Sequence, residues 1–192
     1  MFKTNDDIQI WGKIYYIEWD ILDLSDKFIS DKDADDLSNV IIQNFRVKKL
    51  ILQNNNITDE WVIKIFDALT ANDNISELNI SYNYLKEINF EKINHYLLNS
   101  KNLTKIDFSY NFITDKWISS IIEGLGKNTS LKEINLFWNK IWISWLSELK
   151  KALVINKSLK QIKIWIYETG MQWALQFVEV LKYNPNLEII YN

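Results

Sequence analysis

Few side chains in this 192-residue sequence could carry out chemistry, and their spacing argues against most of it. Asp31, Asp33, Asp35 and Asp36 crowd one segment, and alternate carboxylates at that spacing open calcium-binding loops. Such a loop needs glycine at its sixth position and glutamate at its twelfth, where this chain has Asp36 and Ile42. These aspartates are therefore expected at the start and on the solvent face of a helix. His95 is the single histidine and cysteine is absent, which excludes multi-histidine or thiolate metal centres, disulfides and cysteine nucleophiles. His95 shares a helical pattern with Phe90, Ile93 and Leu97, and its own place is the flank or outer side. No serine lies in G-x-S-x-G, and Gly12, Gly124, Gly126 and Gly170 form no phosphate-cradling loop. No catalytic residue, cofactor or metal site is expected.

The formal net charge of -3 disfavours a nucleic-acid footprint or a basic membrane patch. Asp6 and Asp7 stand where a signal peptide needs its apolar run, and no window reaches the length of a membrane span. A soluble, cytoplasmic protein is the expectation.

The elements that must position any functional surface come from an internal repeat. LILQNNNI from Leu50, LNISYNYL from Leu78, IDFSYNFI from Ile106 and INLFWNKI from Ile134 align without gaps, each 28 residues after the last. The same step leads back to Leu22 and on to Ile162 and Ile190. Within a unit, pairs such as Leu50 and Leu52, or Ile106 and Phe108, alternate as in a strand with one face buried. The second half changes to helical spacing. Val62, Ile65, Phe66 and Leu69 correspond to Ile118, Ile121, Ile122 and Leu125, and to Ala174, Phe177, Val178 and Leu181. Asp59 and Asp115 stand at helix starts, and polar clusters around Asn72 and Asn128 end the helices. Asparagine fills one column after the strand, at Asn55, Asn83, Asn111 and Asn139, where an amide can both donate to and accept from turn backbone. Lys27 and Tyr167 break this column in the outer repeats.

The pattern L-x-x-L-x-L-x-x-N-x-I followed by an amphipathic helix resembles the leucine-rich-repeat family, and more narrowly its ribonuclease-inhibitor-like subclass. The resemblance runs from about Ile21 to Asn192. It implies an α/β fold of about six repeats, a right-handed solenoid (horseshoe) with a parallel sheet on the concave side and α-helices on the convex side. It also implies protein binding. Residues 1–20 fit no complete repeat and are expected to cap the N-terminal edge, with the solenoid occupying 21–192. The chain stops as a strand begins at Ile189, an edge either covered by something else or cut from a longer array.

Glycine is scarce and tryptophan abundant, at 4 and 9 residues, where average usage predicts about 13 glycines. Relatives often carry glycine before the helix, yet here Trp61, Trp117, Trp145 and Trp173 occupy that column, and Trp138 precedes a column asparagine. Two readings stand. Either these residues are glycines encoded by UGA and translated under the wrong code, or the indoles stack between repeats.

On the concave face, residues between the buried strand positions form columns. One holds Asp107, Asn135 and Lys163, the next Phe137 and Trp165, and the third Tyr82, Tyr110 and Trp138. Tyr82, Tyr110, Phe137, Trp138, Trp165, Asp107 and Asn135 are the candidate partner-binding residues, because aromatics on a rigid concavity are typical protein anchors. Packing against one another along the stack is the competing reading. The function expected is a non-enzymatic protein–protein interaction module for a protein partner, as a monomer or a piece of a longer array. The alternative is an enzyme regulator, either an inhibitor or a GTPase-activating protein, because related horseshoes serve as both.

Overall fold

A computed structural model describes residues 7–86, 90–142, 146–165 and 171–191. A hairpin of β1 (Asp7–Ile10) and β2 (Lys13–Tyr16) leads into a seven-stranded parallel sheet. Its strands are β3 (Ile21–Asp23), β4 (Lys49–Ile51), β5 (Glu77–Asn79), β6 (Lys105–Asp107), β7 (Glu133–Leu136), β8 (Gln161–Ile164) and β9 (Glu188–Tyr191). They lie side by side in chain order. Between them run α1 (Ala34–Gln43), α2 (Asp59–Ala71), α3 (Phe90–Asn99), α4 (Asp115–Lys127), α5 (Leu146–Ile155) and α6 (Met171–Tyr183), each packed on its neighbours in sequence. Neighbouring strands sit about 4.8 Å apart and packed helices about 8–10 Å, so such a stack must bend with the sheet inside.

The 28-residue step is the register of the sheet. Leu22 opposes Leu50, which opposes Leu78, and the series continues through Ile106, Ile134 and Ile162. The last unit departs from it: Ile162 opposes Ile189, not the expected Ile190. Adjacent isoleucines offer an apolar side chain in either register, so burial does not discriminate between them. The core is continuous through all units, with Leu24, Leu52, Ile80, Phe108, Leu136 and Ile164 forming a second buried column. Phe66 packs edge-on to Tyr96 at 5.4 Å, tying α2 to α3. The helix pattern holds in α2 and α4 but differs in α6, where Val178 and Leu181 are exposed. The equivalent α2 positions, Phe66 and Leu69, are wholly buried.

The turns after β4, β5, β6 and β7 are each closed by a buried asparagine. Asn111 Oδ1 accepts the Leu85 N–H at 3.1 Å, while its Nδ2 donates to the Ile80 and Phe108 carbonyls at 3.0 Å each. Asn83 and Asn139 repeat this arrangement, and Asn55 serves both the Lys27 and Ile29 N–H groups. Tyr167 lies outside the described residues. A second asparagine column closes the helix ends: Asn128 Nδ2 donates to Leu97 O and Asn156 Nδ2 to Leu125 O, both at 2.6 Å. The acidic residues at helix starts also bind across units. Asp31 accepts from Thr58, Asp59 from the Lys86 N–H, and Asp115 from the Trp142 N–H.

Trp61 and Trp117 are wholly buried, and Trp117 stands edge-on to Phe108 at 5.0 Å. Trp145, and the side chain of Trp173, lie outside the described residues.

Asn111→Ala leaves the buried Leu85 N–H without its acceptor and takes one of two amide donors from each of the Ile80 and Phe108 carbonyls. It is expected to cost about 2–4 kcal/mol of unfolding free energy in a urea titration, against under about 0.5 kcal/mol for exposed Glu60→Ala.

Candidate functional site

The inner face of the sheet begins with charges that neutralise one another. Lys49 bonds Glu77 at 3.0 Å and Lys105 bonds Glu133 at 2.8 Å across adjacent strands. Contact with Glu133 raises the Lys105 pKa, but these half-exposed pairs contribute little to stability. In the next column the Asp107 carboxylate accepts from the Ser109 N–H and hydroxyl, and from Asn135 Nδ2 at 2.8 Å. Asn135 Oδ1 in turn accepts the Phe137 N–H. Asp107 and Asn135, two candidates from the sequence, are thus partly buried and engaged with each other.

The aromatic candidates come together as a row. Tyr82 stacks on Tyr110 with centroids 4.0 Å apart, Tyr110 on Trp138 at 5.8 Å, and Trp138 on Trp165 at 3.8 Å. Phe137 joins edge-on to Trp165 at 5.7 Å. Tyr82, Tyr110 and Trp138 remain about 40% exposed, so mutual packing leaves much ring surface open to solvent. Each occupies the position before a turn asparagine with φ of 52 to 55°, a left-handed conformation that aims its ring away from the core. A hydrogen bond with Tyr110 is the largest cause raising the Tyr82 phenol pKa above its ordinary value.

A second row escaped the sequence reading. The residue after each turn asparagine is Asn56, Tyr84, Phe112 or Lys140, and Phe28 follows Lys27 at the same step one repeat earlier. Tyr84 stacks on Phe112 at 6.1 Å, and Lys140 Nζ sits 5.0 Å over the Phe112 ring. Phe28 is 82% exposed. The two rows flank a cleft of about 420 Å³ whose floor includes the buried Asn55 and Asn83. Its signal was available in sequence as a column one residue past the asparagines.

Elsewhere the chemistry is sparse. His95 is exposed on α3, and among the described residues no cluster of His, Cys, Asp or Glu could hold a metal ion. Asp33 accepts from the Ser30 N–H and hydroxyl, and Asp35 pairs with Lys64. Among the described residues no helix is long and apolar enough to cross a membrane.

Residues 43–65 and 127–141 match the family profile described as Leucine Rich repeat. The fold is a leucine-rich-repeat solenoid. Its helices lie on the convex side and its parallel sheet on the concave side. The actin-binding site 2 of leiomodin-1 is similar in structure, with a TM-score of 0.50 and 20% identity, over 88% of this chain and 83% of that one. An internalin from Listeria monocytogenes aligns over 93% of this chain and 63% of that one, at 14% identity and a TM-score of 0.42. The leucine-rich repeat domain of APL1B aligns over 90% and 64%, at 12% identity and a TM-score of 0.40. No curated protein sequence matches the chain. Leucine-rich-repeat domains are generally non-enzymatic and mediate protein–protein interaction.

Tyr110→Phe keeps the stack and removes the phenol hydrogen bond. In an ultraviolet phenolate titration, Tyr82 is then expected to ionise closer to the ordinary value of about 10 than it does in the parent chain.

Proposed function

We propose that this leucine-rich-repeat solenoid is a non-enzymatic, cytoplasmic binding module that presents its concave face to a protein partner. One observation carries the reading: Tyr82 and Tyr110 form an exposed, stacked pair on a scaffold that holds them in a left-handed conformation. Rigid tyrosines lose little entropy on contact and offer both apolar and hydrogen-bonding surface. Phe137, Trp138 and Trp165 extend the apolar strip, and Asp107 and Asn135 form its polar border. The leiomodin-1 segment described as an actin-binding site supports the use of such a scaffold for protein contact. A full helix in each unit favours assignment to the ribonuclease-inhibitor-like subclass. The β1–β2 hairpin, which buries Ile8 and Ile10 in the core, serves as the N-terminal cap of the solenoid that begins near Ile21.

The test places a photo-crosslinking amino acid at Tyr110 and, as a control, at His95 on the opposite side. Capture of one defined partner from Tyr110 alone is the expected result, with Tyr82→Ala/Tyr110→Ala abolishing it in a chain whose circular dichroism is unchanged. Equal capture from both positions, or capture that survives the double substitution, would remove the concave face from the mechanism.

A further inference from the structure

The second aromatic row is a stack of rings with one rung missing. Tyr84 and Phe112 stack in adjacent repeats; Phe28, two repeats before Tyr84 in sequence, borders the same cleft, and at the step between them the chain has Asn56, a short amide in place of a ring. The rings of Tyr84 and Phe112 are 6.1 Å apart at one repeat, so the two-repeat interval from Phe28 to Tyr84 leaves room for one flat group over Asn56. Asn54 and Tyr82 border the same cleft from the first row. Of the ten described residues lining it, Asp26 alone carries a charge. The Asp26 carboxylate accepts from Asn54 Nδ2 and is exposed to solvent. Adjacent Lys27 does not neutralise this cleft, because it lines the separate concavity bounded by Tyr16 and Trp19. At the far end of the row, Lys140 already sits over Phe112, so one ring of this ladder is capped by a cation from the chain itself.

Aromatic faces and one carboxylate around a planar gap select a planar cation. We infer that the cleft between Phe28 and Tyr84 receives an arginine side chain of the protein partner, its guanidinium stacked as the missing rung and paired with Asp26. This rests on the protein-binding reading above and specifies what the partner presents at the open end of the rows. Guanidinium suits the gap better than ammonium because it is flat, more weakly hydrated and able to meet a carboxylate through two N–H groups. None of the residues that build the cleft is a tryptophan.

Nα-acetyl-arginine amide titrated into isotope-labelled protein tests the inference directly. Chemical-shift changes should centre on Phe28, Asn54, Asn56 and Tyr84, and citrulline, the uncharged isostere, should bind about tenfold more weakly. Asp26→Asn and Tyr84→Ala should each lose a comparable factor with unchanged circular dichroism. Equal binding of citrulline, tighter binding of the lysine analogue, shifts centred elsewhere, or an Asp26→Asn variant that binds normally would each overturn the assignment. If Tyr110 captures a partner that Asp26→Asn still retains in full, the binding module stands and the arginine assignment fails.

The tight turns carry an independent observation. Trp11 and Gly12 form the two-residue loop between β1 and β2, both with positive φ, at 55° and 69°. Loops of this geometry call for glycine, asparagine or aspartate at the first position. Trp19 opens a second two-residue turn, between the bridged Glu18 and Ile21, with φ of 64° and 88% of its surface exposed. Trp61 is fully buried with no hydrogen-bond partner for its Nε1. Trp138 is not diagnostic, since Tyr82 and Tyr110 adopt the same conformation. From Trp11 and Trp19, together with 9 tryptophans against 4 glycines, we infer that these positions are glycine in the cell of origin, encoded by UGA. Trp19→Gly, which sacrifices no packing, should raise the thermal midpoint by about 2–4 °C over Trp19→Ala. The gene should read UGA at Trp11, Trp19 and Trp61, and peptides from the native protein should contain glycine there. UGG codons, or tryptophan in those native peptides, would overturn the inference.

Discussion

The asparagines in the turns after β4 to β7 are buried, and the N–H and C=O groups around them must find partners away from water. One asparagine amide per repeat meets that demand by bonding backward to the preceding turn and inward to its own. Because Asn83, Asn111 and Asn139 each reach into the unit before, no repeat can complete its turn alone. The buried strand columns add the same dependence through apolar contact, since a single unit has no second layer to cover it. Stability in this chain is therefore a property of neighbours, and the asparagine ladder fixes how far apart those neighbours stand.

The same ladder creates the exposed aromatic row. The residue before each turn position is held at φ of 52 to 57° in five successive repeats, as Asp26, Asn54, Tyr82, Tyr110 and Trp138. Aspartate and asparagine accept this conformation readily, but tyrosine and tryptophan pay about 1–2 kcal/mol for it. The bonds made by the next residue's amide hold the backbone there regardless. These rings therefore carry a backbone cost, remain half-exposed and stack in register.

Much of the solenoid is legible in sequence, because the 28-residue step and the strand and helix spacings repeat across several copies. What escaped has identifiable physical causes. Asn44, Asn72, Asn128, Asn156 and Asn184 share the same step, yet in polar clusters at helix ends they look like ordinary stop signals. Phe28, Tyr84 and Phe112 lie past the strand, where in–out alternation no longer holds and the left-handed turn sets side-chain direction. The one-residue shift at β9 was hidden by two adjacent isoleucines. Val178 and Leu181 keep the helical spacing of α2 yet are exposed, because burial depends on what packs over a helix, which spacing alone cannot express. Among the site residues, Tyr82, Tyr110, Trp138 and Trp165 could be grouped from one column and its neighbour, whereas the mutual bonding of Asp107 and Asn135 required the register.

Electrostatics on the inner face then narrow what a partner must offer. Lys49 with Glu77, Lys105 with Glu133, and Asp107 with Asn135 satisfy one another across strands, so a partner that displaced them would have to replace each bond it broke. The rings of Tyr82 and Tyr110 demand no such exchange, and their burial is gain without an equal loss. The surface with the fewest bonds to give up is therefore the two aromatic rows, with Asp107 and Asn135 at their border. Where the rows end, at Asp26 and Phe28, polar demand returns, and that end is where discrimination between partners can be built.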